Sequence, residues 1–459
     1  MDAALRELEA ELGGEVVTLS AIPERYWNDW AGLDPVRPAA LLRPREPREV
    51  ARALAICNRH RLAVVPQGGR TGLAGGARPS PGCAVLALER LAGVEEVDGA
   101  CGTMTVRAGT VLEEAQRVAA EAELFLPLDL GARGSCQIGG NLATNAGGTK
   151  VIRYGMARDL TLGLEVALAD GTLLTGLNKL VKNNAGFDLK QLFIGCEGTL
   201  GIITRAVLRL QPRPLTTAAA FCGLRDFEAV IALLRRARRE LGGLLSAFEV
   251  MWPNYYELMA TQVPELRLPL RPGHGVYLLL EAQGYEAERD EGRFLDLLEA
   301  LLEAGGIGDA VVARSARDVR DLWAIRDAVA EFPRILGRHV NFDLGLEVER
   351  MQRFADACLA RLEKRFAGIR AVLFGHVGDG NLHVVTDLPP GVTGAEVEDL
   401  VYRTVAEFGG TISAEHGIGT IKKPYLPLVR PQPAIATMKA LKRTLDPNGI
   451  LNPGKVIDL

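Results

Sequence analysis

Two of the chain's six histidines, His376 and His383, stand at either end of the glycine-bearing stretch GHVGDGNLH, Gly375 to His383. If Gly378 to Asn381 form a four-residue turn, as D-G and G-N sequences favour, Val377 pairs with Leu382 and His376 stands opposite His383. Directly opposed side chains have Cβ atoms about 4.5–5.5 Å apart, so two imidazoles placed this way can share one metal ion. The apolar flanks AVLF and VVT supply the strands that hold them. SAEHGIGTIKKPYL, Ser413 to Leu426, offers a third ligand, with Glu415 and His416 side by side ahead of a glycine-bearing loop. Neighbours on an extended segment point opposite ways, so one of the pair can face a metal and the other a reacting molecule. A two-histidine, one-carboxylate set leaves coordination positions open, as a catalytic site requires and a structural one does not. A single buried histidine is more often hydrogen-bonded scaffolding; the conjunction of hairpin and Glu-His pair is what points to a metal. His60, His274 and His339 sit in no comparable pattern.

A second kind of chemistry is suggested by glycines. VPQGGRTGLAGGA, Val65 to Ala77, follows the short apolar run LAVVP, where a phosphate-binding loop belongs. Gly69, Gly72 and Gly75 have the wrong spacing for a G-x-G-x-x-G fingerprint, and no G-x-x-x-x-G-K-[ST] occurs, so the loop is neither Rossmann nor Walker. Adjacent glycines still let successive N–H groups point into one concavity that binds pyrophosphate oxygens, the alternative being a flexible turn. Two further segments share this texture: PLDLGARGSCQIGGNLATNAGG, Pro127 to Gly148, and NNAGFDLKQLFIGCEGTLGIIT, Asn183 to Thr204.

The elements that must position these groups divide at QPRP, Gln211 to Pro214. Before it, an acidic helix ends near Gly13-Gly14. The region from Pro38 then carries one amphipathic helix with Val50, Ala53, Leu54 and Cys57 on a face, and short strands AVLAL, GTMTVRAG and GIITRAVLRL. After it, strands alternate with amphipathic helices over 226–241, 286–304, 347–366 and 393–408, which fits an antiparallel sheet covered by helices on one face, of ferredoxin-like type, with a duplicated unit as an open alternative. The final LKRTLDPNGILNPGKV reads as a tail folded back on the rest. The expected division is an N-terminal helical segment 1–37, a cofactor domain 38–213, a second domain 214–415 and a C-terminal segment 416–459.

At 459 residues, 48% hydrophobic and 24% charged, with a net charge of -4, the chain suits several folding units and makes nucleic acid an unexpected partner. Arg235, Arg236, Arg238 and Arg239 read as the wet face of a helix. Seven scattered cysteines without a C-x-x-C pair suggest reduced, mostly buried thiols rather than disulfides or an iron–sulfur site. No apolar run reaches the roughly 18–20 residues of a membrane span, no signal pattern opens the chain, and the expectation is a cytoplasmic protein.

The three glycine-bearing segments, in this order and spacing, resemble the flavin-binding domain of the vanillyl-alcohol oxidase and p-cresol methylhydroxylase superfamily, and within it the D-2-hydroxyacid dehydrogenases, over residues 38 to 458. The implied fold is α+β: a two-subdomain FAD-binding domain of p-cresol methylhydroxylase type, a ferredoxin-like antiparallel-sheet substrate (cap) domain, and a C-terminal segment returning to the flavin. The resemblance puts FAD on Pro66, Gln67, Gly68, Gly69, Arg70, Thr71, Gly72 and Leu73, on Ser135, Gly139, Gly140, Thr144 and Asn145, on Gly198, Gly201 and Ile202, and on Asn452 of LNPGK. No histidine or cysteine lies in the first loop, so non-covalent FAD is expected. By the same carry-over His376, His383 and Glu415 bind the metal, usually Zn²⁺ with Mn²⁺ the alternative; His416 is the base and Arg326 the substrate-carboxylate ligand.

The expected reaction is oxidation of a D-2-hydroxy acid to the 2-oxo acid. The metal would lower the hydroxyl pKa, His416 would take the proton, and hydride would pass to flavin N5. Where D-2-hydroxyglutarate dehydrogenase has a threonine, a lysine and an asparagine, this chain has Ala330, Asn341 and Val385. That favours D-lactate or an acid with a more apolar tail over 2-hydroxyglutarate, which is the alternative substrate. Two other classes stay open: a zinc hydrolase, which would be colourless, and a non-catalytic flavin subunit of a glycolate-oxidase-like complex, which no acid would bleach. The electron acceptor, whether oxygen, quinone, cytochrome or electron-transfer flavoprotein, is not named by any motif, and a homodimer is expected.

Overall fold

Short apolar, β-branched runs become strands wherever a helix or second sheet is available to cover them. In the computed structural model, which describes residues Met1–Leu459, chain contacts define two units. One comprises Met1–Gly147, Tyr154–Arg213 and Glu415–Leu459; the other comprises Gly148–Arg153 and Pro214–Ala414.

In the first unit the strands Ala40–Leu42, Ala84–Ala87 and Val64–Gln67 run parallel, with Val17–Thr18 antiparallel at one edge. The helix Pro47–Arg59 covers this sheet. It starts at a reciprocal cap in which Glu46 and Glu49 each accept a backbone N–H, carries proline in its first turn, and buries Val50, Ala53, Leu54 and Cys57. Ala4 and Leu8 of the helix Asp2–Leu12 join the same core. A five-stranded antiparallel sheet follows, in the order Val94–Asp98, Thr103–Arg107, Ile202–Arg209, Thr161–Ala167, Leu173–Gly176. All seven cysteines are free thiols and only Cys101 is exposed.

The tail does return. Leu451 bridges in parallel to Val64, with Val64 N–H donating to Ile450 O (2.7 Å) and Asn452 N–H to Val64 O (2.8 Å). A buried ion pair pins it. Lys442, from the helix Gln432–Leu445, pairs with Asp446 and donates to Thr199 O (2.8 Å) and Leu451 O (2.7 Å). Asp446 in turn accepts the N–H groups of Ile450 and Leu451 at 3.0 and 2.8 Å.

The second unit is built on one seven-stranded sheet, antiparallel throughout, in the order Asp309–Val312, Thr216–Leu224, Val276–Gly284, Leu245–Met251, Ala371–Gly375, Asn381–Asp387, His339–Gly345. Taken in chain order, its first four strands stand 4-1-3-2, the ferredoxin-like arrangement, with the helices Phe227–Glu240 and Ala287–Glu303 as crossovers. The remaining three strands have a different connection, so the unit is extended rather than duplicated.

Cover on one face is also corrected. Ala219, Phe221, Tyr277 and Leu279 pack with Tyr255, Tyr256 and Leu322 from the helices Pro253–Gln262 and Ala316–Asp327, while the crossover helices lie against the same strands. The alternate positions Ala220, Cys222, Leu278 and Leu280 are equally buried. Strands covered on both faces read as continuous apolar runs, so period-two alternation is lost. No helix is long and apolar enough to cross a membrane.

Asp446→Ala leaves the Lys442 ammonium buried without its counter-charge, at a cost of about 3–5 kcal/mol. We expect a lower urea midpoint than the parent chain, with Asp446→Asn intermediate; an unchanged midpoint for the alanine variant would refute the lock.

Candidate functional site

The hairpin register differs from the expected one. Phe374, not His376, is the residue opposite His383, and the strand Ala371–Gly375 ends before His376. The turn is longer than four residues because Val377–Asp379 winds into a 3-10 turn, closed by left-handed Gly380 (φ 91°). Asp379 and Asn381 N–H groups both donate to His376 O. The close approach of the two arms leaves no room at Gly375, where a Cβ would lie 2.4 Å from Asn381 O. The imidazoles still meet. His376 follows Phe374 by two residues on the same face, and its ring lies edge-on to that of His383, centroids 5.3 Å apart, both side chains buried.

Behind this pair stands an acid the sequence reading missed. Glu249, in the strand Leu245–Met251, accepts from His376 Nδ1 at 2.6 Å and from Arg326 Nε at 2.9 Å. Burial pushes its carboxyl up, but His376 and the Arg326 guanidinium, both hydrogen-bonded to it, outweigh burial and hold it down at about 2. With Nδ1 engaged, His376 presents Nε2, which lies 3.3 Å from Arg326 Nη2. This carboxylate–histidine arrangement fixes ring orientation and raises ligand basicity. Arg326 is therefore a buried residue, not a surface arginine, with its guanidinium also 5.0 Å over the Phe374 ring.

Asp343, fully buried and opposite His383 across the neighbouring strand, is the other missed acid. It accepts from Asn381 Nδ2 (2.7 Å), Ser413 Oγ (3.2 Å) and Ala414 N–H (3.1 Å). The peptide that leads into Glu415 and His416 is thus anchored to the strand beside His383. A lone acid inside an otherwise apolar strand, as in LSAFEVM and VNFDLG, was the available signal for both. The arginines of the helix Phe227–Glu240 lie on its wet face, Arg235, Arg238 and Arg239 exposed and Arg236 half-buried, and Arg238 from there donates to Gly378 O of the histidine turn while Arg236 is held by Glu240 and Ala300 O.

In the first unit the glycine-bearing segments converge. A Cβ at Gly69 would lie 2.0 Å from Ser135 O, one at Gly139 2.7 Å from the Ala108 Cβ, and one at Gly198 2.5 Å from Pro66. Gly68 faces Gln137 and the backbone of Gly140, and Gly201 faces Val166. Five of the eight non-glycine residues with positive φ, Arg70, Asn145, Glu197, Asn452 and Val456, lie in these segments or the returning tail, so backbone strain concentrates here.

Asn452 donates to Gly76 O and Glu197 O, and Gln67 to Tyr26 O and Ala77 O. Their carbonyl oxygens, with that of Gln137, are buried and accept from no protein group. Three orphan acceptors around a cradle of closely packed glycines fit a ligand rich in N–H and O–H donors. Not every expected contact points outward: Asn145 Oδ1 is occupied by Arg158 N–H and Thr144 Oγ1 by Gly140 O. Thr71, Leu73, Gly140 and Ile202 lie partly or fully buried on the same segments, while Gly72 and Ser135 are exposed.

This fold is that of known flavoproteins. p-Cresol methylhydroxylase superposes with a TM-score of 0.80 over 100% of this chain and 97% of its own at 16% identity. 4-Ethylphenol oxidase from Gulosibacter chungangensis superposes at 0.76 over 99% and 96% at 18% identity. At these identities the likeness is one of fold. Residues 38–176 match the FAD binding domain and residues 213–456 the C-terminal domain of FAD linked oxidases.

D-2-hydroxyglutarate dehydrogenase of Rattus norvegicus is 40% identical over 99% of this chain and 84% of its own, and that of Xanthomonas citri 37% identical over 95% and 92%. A protein of Schizosaccharomyces pombe named as a putative D-lactate dehydrogenase is 38% identical over 94% and 84%. The chain belongs to the FAD-dependent D-2-hydroxyacid dehydrogenase family and is an FAD-carrying oxidoreductase, which sets the hydrolase aside. The expectation of a cytoplasmic protein is overturned: the rat, bovine, rice and fission-yeast relatives are mitochondrial by name. Composition does not report compartment, so it could not carry that expectation.

Glu249→Gln should lower stability by about 3–5 kcal/mol because Arg326 keeps its buried charge without a partner. Glu249→Gln combined with Arg326→Met should cost less than the sum of the two single changes, by roughly 0.5–3 kcal/mol, in urea unfolding. Strict additivity would show that the two groups are not coupled.

Proposed function

We propose that this chain oxidises a D-2-hydroxy acid to the 2-oxo acid, with FAD held non-covalently by the glycine segments and Asn452, and a divalent ion, Zn²⁺ or Mn²⁺, held by His376, His383 and Glu415. The single observation that carries the metal reading is the Glu249–His376 bond, which commits Nδ1 and leaves Nε2 of a buried imidazole beside a second buried imidazole. Glu415 is one residue beyond Ala414, whose N–H is fixed on Asp343 opposite His383. Two histidines and a carboxylate suit Zn²⁺ or Mn²⁺ with positions left for substrate.

The flavin supplies the hydride acceptor and the ion the acidification of the bound hydroxyl. The chain's own residues do the rest. His416 takes the hydroxyl proton, imidazole being suited to that task near neutral pH. Arg326 holds the carboxylate of the acid: a ligand on His376 Nε2 would take over the lone pair that Arg326 Nη2 now approaches, freeing that N–H for a carboxylate oxygen. Glu249 keeps the guanidinium and imidazole in register while this happens. We assign the flavin to residues 38–213 with the return 416–459, and the acid to 214–415. The electrons then leave to a separate acceptor, a quinone, cytochrome or electron-transfer flavoprotein, and the chain acts as a homodimer.

The substrate we favour is D-lactate or an acid with an apolar tail. Val385 is buried in the sheet opposite Asn341, and Ala330 offers no polar group, so a distal carboxylate would meet too few donors. D-2-hydroxyglutarate is the second reading, favoured by the 40% identity to the rat enzyme of that name.

Anaerobic mixing with D- and L-acids should bleach the flavin band near ~450 nm for one enantiomer only. Chelation should abolish bleaching, and Zn²⁺ or Mn²⁺ should restore it. His376→Ala should bind less metal by elemental analysis while remaining yellow. In the same panel a single unmet buried carboxylate contact is worth about 1–3 kcal/mol, so D-lactate should exceed D-2-hydroxyglutarate by at least about 5- to 150-fold in kcat/KM. The reverse order would give the substrate to the second reading, and yellow protein that no acid bleaches would point to a non-catalytic flavin subunit.

A further inference from the structure

Glu197 lies in the third glycine-bearing segment, in GCEGTLG, yet its side chain is turned to a different task from its neighbours. It is buried with a left-handed backbone (φ 53°), and its carboxylate accepts the N–H of Ile418 at 2.6 Å and of Gly419 at 2.8 Å. These are the second and third residues after His416. Gly417, at φ 79°, is pressed so closely on the carboxylate that a Cβ there would lie 2.8 Å from Glu197 Cδ.

The opposite side of the same loop is clamped by the first glycine segment. Thr420 N–H and Ile421 N–H both donate to Ala74 O, and a Cβ at Gly419 would lie 2.0 Å from that oxygen. Asn452 ties the clamp together by donating to Glu197 O and Gly76 O. Residues 417–421 therefore have no freedom of their own: two neighbouring amides end on one desolvated carboxylate and two more on one carbonyl.

We propose that Glu197 is a positioning residue for His416: a latch that fixes the backbone on which the base is mounted and makes no contact with the reacting atoms. Two amide hydrogen bonds, one to each oxygen of the same side chain and made where water cannot compete, hold the loop more firmly than contacts shared with solvent would. Gln in this position can accept only through one oxygen and turns an N–H toward an amide N–H, so the latch opens without emptying the space. This inference rests on His416 being the base.

The test uses the FAD-loaded full-length protein with D-lactate and D-2-hydroxyglutarate as probes. Glu197→Gln should retain its flavin absorbance, and the amides of 417–421 should exchange with deuterium about 10- to 100-fold faster as one of the two acceptor oxygens is lost. The bleaching rate at saturating acid should fall while the acid concentration for half-maximal rate stays near that of the parent. In a His416→Asn background the same change should add no further loss.

Gly417→Ala strains the latch from the other side. It should reproduce the exchange and rate effects if Glu197→Gln fails to fold. Unchanged exchange over 417–421, faster exchange with an unchanged saturating rate, or effects that multiply with His416→Asn would each overturn the latch. If His416→Asn bleaches at the parental rate, the base assignment itself falls and takes the proposal with it, a result separable from the others because the exchange measurement does not depend on it.

Discussion

A carboxylate taken out of water must be surrounded by donors that cannot leave, and this requirement organises both units. Glu249 lies in the middle of a sheet covered on both faces, where an ionised acid is expensive unless its hydrogen bonds are complete. It completes them with His376 and Arg326, groups from a strand end and a helix that sequence separates widely. Glu197 does the same in the first unit with two backbone amides. In each case the cost of desolvation is offset only in one arrangement of the donors, so the arrangement is specified as firmly as the apolar packing around it.

That specification explains why the sheet of the second unit tolerates polar groups at all. Tyr255 shows the pattern: its ring fills the core against Phe332 and Phe374, and its hydroxyl donates to Ile325 O near the end of the helix that carries Arg326. Burial of the rings supplies the cohesive energy, and the hydroxyl decides where the helix stops sliding. Phe374 is used twice, as a core residue and as the floor under both His383 and the Arg326 guanidinium. The position of the imidazoles therefore follows from packing that would be needed with or without chemistry.

Much of this was legible in the sequence. Elements with strong periodicity or clear stops, such as Val348–Arg365 and Gly394–Glu407, lie within a residue or two of expectation. The seven-stranded sheet was readable as alternating strands and helices, but not its cover on both faces, because fully buried strands lose the alternation that reports which face is wet. The histidine hairpin was recognisable, and its register was not. Turn composition favours a tight connection, yet a 3-10 turn inserts itself between the arms, and only the steric demand at Gly375 marks where pairing ends. Glu249, Glu197 and Asp343 were overlooked because a buried acid is identified by its partners, and those lie far away in sequence.

The return of the tail has a consequence in time. Asn448 bonds to Asn58 across 390 residues of chain, and Leu451 completes the edge that Val64 opens. During synthesis Val64–Gln67 and the glycine loop after it emerge well ahead of the strand partner that finishes their sheet, which lies nearly 390 residues further along the chain. Until then the other unit has had time to form its own sheet while the first waits with an exposed strand edge, a state prone to wrong pairings. Maturation of the FAD cradle is thereby tied to the arrival of residues 448–452, which makes its assembly slow by contact order.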